Sequence, residues 1–210
     1  MDHRFLVSAV LLLASPSQAA GPAACPFCAA SDDPAPALDR TVLTGPVYAL
    51  PTTWQTDDGR TVTLDTLRGH ACVAALFFTT CHVACPVTLD TLAAVDRNLP
   101  ADSKVSILLV TIDPATDTAS LLSQCRSEHR LSGRVLMLRG GLSQTQSFAD
   151  AAGIVYKREP SRLVHMPRIV VLGRDGRVAA AFPGLRLSPA DIARAAQAAD
   201  LAAPAVAVAR

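Results

Sequence analysis

The sequence has few aromatic residues and almost no net charge. Phe, Trp and Tyr together make up 4% of its 210 residues, and 19 basic residues nearly balance 18 acidic ones, giving a formal net charge of +1. A nucleic-acid-binding domain typically needs a strongly basic surface, often with aromatic side chains on which bases stack. We therefore do not expect nucleic acid to be a partner.

The sequence also lacks the short motifs that bind common cofactors. It contains no glycine-rich phosphate-binding loop and no C-x2-C-H haem-attachment motif. Nothing in it predicts a bound nucleotide, flavin or haem. It has no internal repeat and no block of like charges, and half of its residues (50%) are hydrophobic. This composition predicts one globular domain with some additional chain.

The N-terminal segment predicts export. An apolar run from Phe5 to Ala14 is followed by small residues, with Ser17 and Ala19 placed as at a cleavage site. The run is shorter than the roughly 18 residues that span a membrane as a helix. We expect residues 1–20 to be a signal peptide, or a short membrane anchor if it is not removed. Both interpretations place the protein in the periplasm, where a disulfide can persist.

The remaining chain divides into a tether, a domain and a short tail. Residues 21–46 are rich in Ala, Pro and Asp, show no apolar periodicity and contain the C-x2-C motif Cys25-Pro26-Phe27-Cys28. We expect the domain to cover residues 47–201 and the tail to cover residues 202–210.

Strand and helix patterns alternate through the predicted domain. Residues 71–78 (ACVAALFF) form an unbroken apolar run, which is typical of a strand buried on both faces. Asp-Gly pairs at 58–59 and 175–176 predict hairpin turns. Helical spacing follows Pro86, the predicted first helical residue, and Ser188, a predicted N-cap. The alternation predicts an α/β sandwich with a mixed central sheet flanked by helices and an additional N-terminal hairpin.

Two cysteines four residues apart stand where a buried strand is predicted to lead into a helix. They are Cys81 and Cys85. The unpaired N–H groups at a helix start stabilise a thiolate, and this spacing lets both sulfurs reach one ion or each other. A C-x3-C pair alone therefore fits a structural disulfide, a redox couple or a site for a soft metal.

Three motifs in chain order narrow these interpretations. They are FTTCHVACP at 78–86, IDPATDT at 112–118 and VHMPRIVVLGRDG at 164–176. Together they resemble the Sco/SenC family, exported thioredoxin-like proteins that help to assemble the binuclear copper A centre of cytochrome c oxidase. The resemblance implies that Cys81, Cys85 and His165 hold one copper ion. We expect His165 to lie in a loop that faces the cysteines.

The resemblance also implies what kind of protein this is. It implies a metallochaperone and not an enzyme, with the copper-receiving subunit of the oxidase as its partner. A thioredoxin-like reductant and another copper chaperone are further candidate partners. Copper suits the implied ligands, since thiolates favour Cu(I) and an added imidazole allows the same site to hold Cu(II). The sequence does not predict which oxidation state is carried.

The segment around His165 departs from the family pattern. Val164 stands where the family usually has an acidic residue, so a carboxylate that could support the imidazole is missing. Met166 is either a further soft ligand or a residue that fills a gap. The step Met166-Pro167 also resembles the exported TlpA-type thiol reductases, in which such a proline is often cis.

This second resemblance supports an alternative function. Cys81 and Cys85 would be the redox-active pair of an exported thiol–disulfide oxidoreductase that reduces cysteines of the oxidase subunit or of another copper protein. The tether motif Cys25–Cys28 could pass electrons or copper to that pair, or form an accessory disulfide.

Five further residues have simpler interpretations. Cys72 lies in the first apolar strand and Cys125 in a predicted helix, so we expect both to pack in the core. His82, between the two cysteines, is expected to be a solvated loop histidine that could also tune the thiolates. Asp113 and Asp117 are expected to shape the loop beside the cysteines, with Asp113 capping a following turn.

Overall fold

The computed structural model describes residues 45–159 and 162–202 of the chain. The predicted signal peptide, the tether with Cys25 and Cys28, and most of the tail lie outside these residues. The described elements are β1 (Thr53–Thr56), β2 (Thr61–Thr63), β3 (Cys72–Phe77), α1 (Ala84–Asn98), β4 (Ser106–Thr111), α2 (Ala119–Glu128), β5 (Val135–Arg139), α3 (Leu142–Ala152), β6 (Tyr156–Glu159), β7 (Arg162–His165), β8 (Arg168–Leu172), β9 (Val178–Pro183) and α4 (Pro189–Leu201). None of these helices combines the length and the hydropathy needed to cross a bilayer.

Seven of the described strands form one mixed sheet. Its order is β2-β1-β5-β4-β3-β8-β9. Within it, β3 pairs parallel with β4 and antiparallel with β8, while β4 pairs parallel with β5. The β1–β2 hairpin joins the far edge antiparallel to β5. The predicted mixed sheet, with helices on its faces and an N-terminal hairpin, is confirmed.

Both faces of this sheet are buried, which explains the apolar run in β3. Val73 and Phe77 pack in one core with residues of α1, α2 and α4. Cys72 and Leu76, on the opposite face, pack in a second core with Phe148 of α3. Because successive strand residues face opposite sides, a strand covered on both sides has no position for a polar residue. The predicted core position of Cys72 is confirmed.

Helix α1 begins earlier than the sequence predicts. Its first residue is Ala84, so Pro86 is the third helical residue and not the first. Proline is tolerated there because the N–H groups of the first helical turn have no partner within the helix. The earlier start places Cys85 inside the first turn and leaves Cys81 in the preceding loop.

A small second sheet, formed by β6 and β7, was not predicted. The two strands pair antiparallel, with Tyr156 opposite His165, and do not join the seven-stranded sheet. The expectation that His165 lies in a loop is therefore wrong, because it is the last residue of β7. Pairing satisfies the backbone N–H and C=O groups of each strand that face the other strand. The β6 sequence Tyr-Lys-Arg-Glu has no apolar alternation that would indicate a strand.

The turn between β8 and β9 requires glycine. Gly176 has a φ of +80°, and a Cβ placed on it would lie 2.6 Å from the Tyr48 ring. Tyr48 is buried, and the N–H of Val47 donates to the Gly176 carbonyl over 2.9 Å. Gly59, in the β1–β2 turn, has a similar φ of +83° but open space around it. The two glycines therefore differ in packing and not in backbone conformation.

Replacing these two glycines with alanine separates the two effects. Gly176→Ala should lower the free energy of unfolding by about 3 kcal/mol, from about 1–2 for the left-handed backbone and about 1–3 for overpacking. Gly59→Ala, the matched control, should lose about 1 kcal/mol from the backbone alone. Urea unfolding of both variants measures the difference. Equal losses would contradict the proposed contact with Tyr48.

Candidate metal centre

The two cysteines lie side by side where β3 leads into α1. The loop after Phe77 carries Cys81, and Cys85 is the second residue of the helix. The backbone N–H of Cys85 donates to the Sγ atom of Cys81 over 3.4 Å. Both are free thiols, Cys81 half-buried and Cys85 buried. The local fold therefore presents two thiols at a helix N-terminus, as the sequence predicts.

His165 reaches this pair from the β6–β7 hairpin. Its Nε2 atom lies 3.7 Å from Cys85 Sγ across 80 residues of sequence. One potential ligand atom from each of Cys81, Cys85 and His165 lies within 4.8 Å of the other two. No other group of three or more His, Cys, Asp or Glu side chains in the described residues has such a geometry. Folding thus brings together the three residues that the resemblance implies as copper ligands.

The His165 ring is oriented by apolar contact and by its strand. The ring meets Phe78 edge-on, with centroids 5.9 Å apart and planes at 73°. Its other nitrogen, Nδ1, is buried and has no hydrogen-bond partner within the described residues. Val164 precedes it on the opposite face of β7 and supplies no carboxylate. Phe78 is a site residue that the sequence did not reveal, because it reads as one more apolar residue of the β3 run.

The two thiols have opposite protonation tendencies. The pKa of Cys81 is lowered to about 3, mainly by the hydrogen bond from the Cys85 thiol. Hydrogen bonds from His165 and from the backbone N–H groups of Cys85 and Val83 lower this pKa further, whereas burial opposes them. The same bond to Cys81, together with burial, raises the pKa of Cys85 well above its usual range. At neutral pH the metal-free pair is therefore one thiolate and one thiol.

A buried carboxylate fixes the cysteine loop. Asp117 is fully buried. It accepts a hydrogen bond from the Thr79 N–H over 3.2 Å and further bonds from the hydroxyls of Thr79 and Thr111. Thr79 lies two residues before Cys81, and Thr111 ends β4, so the carboxylate ties the loop to the neighbouring strand. The predicted loop-shaping role of Asp117 is confirmed.

Asp113 acts differently from the prediction. Its backbone carbonyl accepts the N–H groups of Thr116 and Asp117 and so closes the following turn. Its carboxylate does not cap that turn but contacts the Arg158 guanidinium over 3.3 Å. The expectation of a side-chain cap is wrong because a cationic partner from β6 lies within reach. Arg158 is a second residue that sequence reasoning missed, since β6 itself was missed.

A groove of about 360 Å³ lies beside the cysteines, between α1 and α2. Cys81, Cys85 and Pro86 line one side of it, and Leu121 and Cys125 line the other. The site is thus accessible from the surface on the Cys81 side. A partner molecule can reach the half-buried sulfur without disturbing the core behind Cys85.

The remaining predicted residues lie near the site without joining the three-residue group. Cys125 is buried, and burial raises its pKa to about 11, so its predicted packing role is confirmed. His82 is exposed, as predicted. Met166 is 67% exposed, and its N–H donates to the Val155 carbonyl. The described residues contain no cis peptide bond, so Pro167 is trans.

The thiol asymmetry predicts selective alkylation of the reduced, metal-free protein. Iodoacetamide should modify Cys81 at a rate that is nearly constant from about pH 5 to pH 8, because a pKa of about 3 keeps it ionised throughout. Cys85 should remain unmodified over that range. Peptide mass spectrometry after timed quenching measures both, and Cys81→Ser should remove the fast phase. A Cys81 rate that rises about tenfold per pH unit, as for an ordinary thiol, would contradict this assignment.

Known proteins share both the fold and the sequence pattern. A solved structure of BsSco, described as a member of the Sco family of cytochrome c oxidase assembly proteins with a disulfide switch, is 26% identical with a TM-score of 0.65, covering 74% of this chain and 94% of that one. The structure of Bradyrhizobium japonicum ScoI with copper bound is 22% identical with a TM-score of 0.62, covering 70% and 96%. The predicted thioredoxin-like α/β fold is confirmed.

Sequence comparison gives the same family. The SCO1 protein homolog of Bacillus subtilis (strain 168) is 27% identical over 147 residues, which are 67% of this chain and 76% of the homolog. The family model of SCO1/SenC matches residues 48–199, nearly the whole predicted domain. The chain therefore belongs to the SCO1/SenC family.

Proposed function

We propose that this protein holds one copper ion through Cys81, Cys85 and His165 and delivers it to the subunit of cytochrome c oxidase that carries the copper A centre. The observation that carries the proposal is the convergence of two sulfurs and one imidazole nitrogen within 4.8 Å of one another. Copper is the cargo here, so the site must both bind the ion and allow its transfer.

The chemistry of the three ligands supports copper over harder cations. Two thiolates form a soft pair suited to Cu(I), and an imidazole at the same point suits Cu(II) as well. Carboxylates, which Mg²⁺ and Ca²⁺ prefer, are not part of the group. The residues present therefore fit a copper ion, and the ScoI structure mentioned above was solved with that metal bound.

The shape of the site supports transfer. Both cysteines line the groove, but Cys81 is only half-buried whereas Cys85 is buried. A recipient can therefore approach the ion from the Cys81 side and replace the ligands one at a time. We further propose that the transfer takes place in the periplasm, where the predicted N-terminal signal peptide or anchor would bring the domain.

A second function is favoured by the unequal thiols. A thiol–disulfide oxidoreductase needs an accessible thiolate that attacks and a partner thiol that resolves, and Cys81 and Cys85 have these properties. The Cys81 thiolate would attack a disulfide of the recipient and release one of its sulfurs as a thiolate. Cys85 would then give its proton to a released thiolate and displace the second sulfur, leaving a Cys81–Cys85 disulfide and a reduced recipient ready to accept copper.

Copper titration of the reduced domain tests the first proposal. In separate titrations, the wild type should bind one equivalent of Cu(I) or one equivalent of Cu(II). His165→Ala should keep Cu(I) but bind Cu(II) more weakly by on the order of a hundredfold, since the remaining ligands are both soft. Cys81→Ser and Cys85→Ser should each lose tight binding of both ions. Competition titrations with chelators of known affinity give the constants.

His82→Ala is the matched control, because this exposed histidine lies between the cysteines but outside the three-residue group. This variant should bind Cu(I) and Cu(II) with the same affinities as the wild type. The three-ligand site is wrong if His165→Ala retains wild-type Cu(II) affinity. It is also wrong if His82→Ala loses as much Cu(II) affinity as His165→Ala does.

Trapping of a mixed disulfide tests the oxidoreductase function. Oxidised glutathione should form a stable mixed disulfide at Cys81 in the Cys85→Ser variant, because the resolving thiol is gone. In the wild type the same adduct should be short-lived and give way to the Cys81–Cys85 disulfide. Intact-protein mass spectrometry after acid quenching distinguishes these species. An adduct that accumulates at Cys85 in Cys81→Ser, and not at Cys81 in Cys85→Ser, would reverse the roles and contradict the mechanism.

A further inference from the structure

The histidine is carried by a structure that the main sheet does not hold. The β6–β7 hairpin forms its own two-stranded sheet and shares no strand pairing with the seven-stranded sheet in the described residues. Only Met166 and Pro167 join His165 to β8, so the chain ties this end of the hairpin to the main sheet, and the orientation of the hairpin about that connection depends on how its side chains fasten it to the domain. Two of these, Tyr156 and Leu163, pack against the second core.

Arg158 lies on the same face of the hairpin as Tyr156 and Leu163. In the hairpin register Tyr156 lies opposite His165 and Arg158 lies opposite Leu163. Because strand side chains alternate, these four residues share one face, and Lys157 and Val164 project from the other. Arg158 and His165 thus approach the domain from the same side of one small sheet.

Arg158 contacts the segment that follows β4. Its Nη2 atom donates to the Ile112 carbonyl over 2.7 Å and lies 3.3 Å from an Asp113 carboxylate oxygen. The Asp113 side chain is 13% exposed, whereas that of Arg158 is 40% exposed. A guanidinium that bridges a carbonyl and a carboxylate has two directional, charge-assisted contacts, so it fixes orientation as well as distance.

The same segment is bound to the cysteine loop. We call residues 112–118 the β4–α2 loop. At one end Ile112 and Asp113 bind Arg158, and near the other end the buried Asp117 binds Thr79, two residues before Cys81. The β4–α2 loop therefore contacts the histidine-bearing hairpin and the cysteine-bearing loop at once. It thus connects the part of the site that carries His165 with the part that carries Cys81, and none of its residues is one of the three candidate ligands.

We propose that Arg158 is a positioning residue, which holds His165 against the cysteine pair by clamping the β6–β7 hairpin to the β4–α2 loop. The consequence for copper rests on the function proposed above. With the clamp closed the site offers two sulfurs and an imidazole. With the clamp released the hairpin withdraws the imidazole and the site offers the sulfurs alone. Arg158 thereby sets the preference of the site between Cu(II) and Cu(I).

Lys157 provides a matched control on the same strand. It is exposed and lies 3.5 Å from the Glu159 carboxylate, with its side chain on the opposite hairpin face from Arg158. Arg158→Gln and Lys157→Gln each remove one positive charge from adjacent positions. A difference between these variants therefore reports the contacts of Arg158 and not the net charge. Arg158→Lys tests rescue, since both contacts come from one guanidinium nitrogen, and a lysine ammonium keeps the charge but lacks the planar group that aims this nitrogen at its partners.

The first readout uses the metal-free protein and is independent of copper. Amide hydrogen exchange in β6 and β7 should be about tenfold faster in Arg158→Gln than in the wild type, while exchange in β3 and β4 stays unchanged. Lys157→Gln should match the wild type, and Arg158→Lys should lie between. The clamp is refuted if Arg158→Gln and Lys157→Gln exchange alike in the hairpin.

The second readout is the ratio of Cu(II) to Cu(I) affinity. Arg158→Gln should bind Cu(II) at least tenfold more weakly and Cu(I) within about threefold of the wild type. In a His165→Ala background, Arg158→Gln should have no further effect on Cu(II), because Arg158 acts through the imidazole. If Arg158→Gln weakens Cu(II) binding as much in the His165→Ala background as in the wild type, the proposal is overturned. If the wild type does not bind copper, the proposed function is refuted. The hydrogen-exchange measurement would then still show whether Arg158 holds the hairpin to the β4–α2 loop.

Discussion

The candidate site depends on one contact, the approach of the His165 imidazole to the Cys85 thiol over 3.7 Å. The two residues come from different elements: Cys85 from the first turn of a helix that packs on the main sheet, and His165 from a hairpin outside that sheet. The three candidate ligands stay close enough to bind one metal ion only while both elements keep their positions. The hydrogen bonds that join the two ends of the β4–α2 loop to their neighbours, from Thr79 to Asp117 and from Arg158 to Ile112, are therefore as important to the site as the three candidate ligands.

The unequal thiols explain how one pair can support two chemistries. Cys81 is an accessible thiolate, whereas Cys85 is buried and keeps its proton. A soft ion can bind the thiolate first and then displace the proton of the second sulfur, since metal ligands must be deprotonated. A disulfide can be attacked by the same thiolate and resolved by the same second sulfur. The two proposed uses of the pair, metal binding and thiol exchange, thus depend on one arrangement, and each excludes the other while it lasts.

Local sequence patterns predicted most of the fold but not the element that carries His165. The two-sided burial of β3 produces an apolar run, and the Asp-Gly turns and the Ser188 cap follow from backbone chemistry within a few residues. The β6–β7 hairpin is held by long-range packing and by Arg158, and its charged residues show no local alternation. The start of α1 was placed two residues late because proline is tolerated anywhere in a first turn. The three candidate ligands follow from the family resemblance, and their spatial meeting depends on contacts that no local pattern contains.

X-ray absorption spectroscopy of the copper-loaded protein counts the atoms bound to the metal, and so tests whether Cys81, Cys85 and His165 together hold copper. We expect two sulfur neighbours for both Cu(I) and Cu(II), with an additional imidazole nitrogen for Cu(II) that disappears in His165→Ala. A Cu(II) spectrum with fewer than two sulfurs, or one in which the imidazole signal survives the loss of His165, would contradict it.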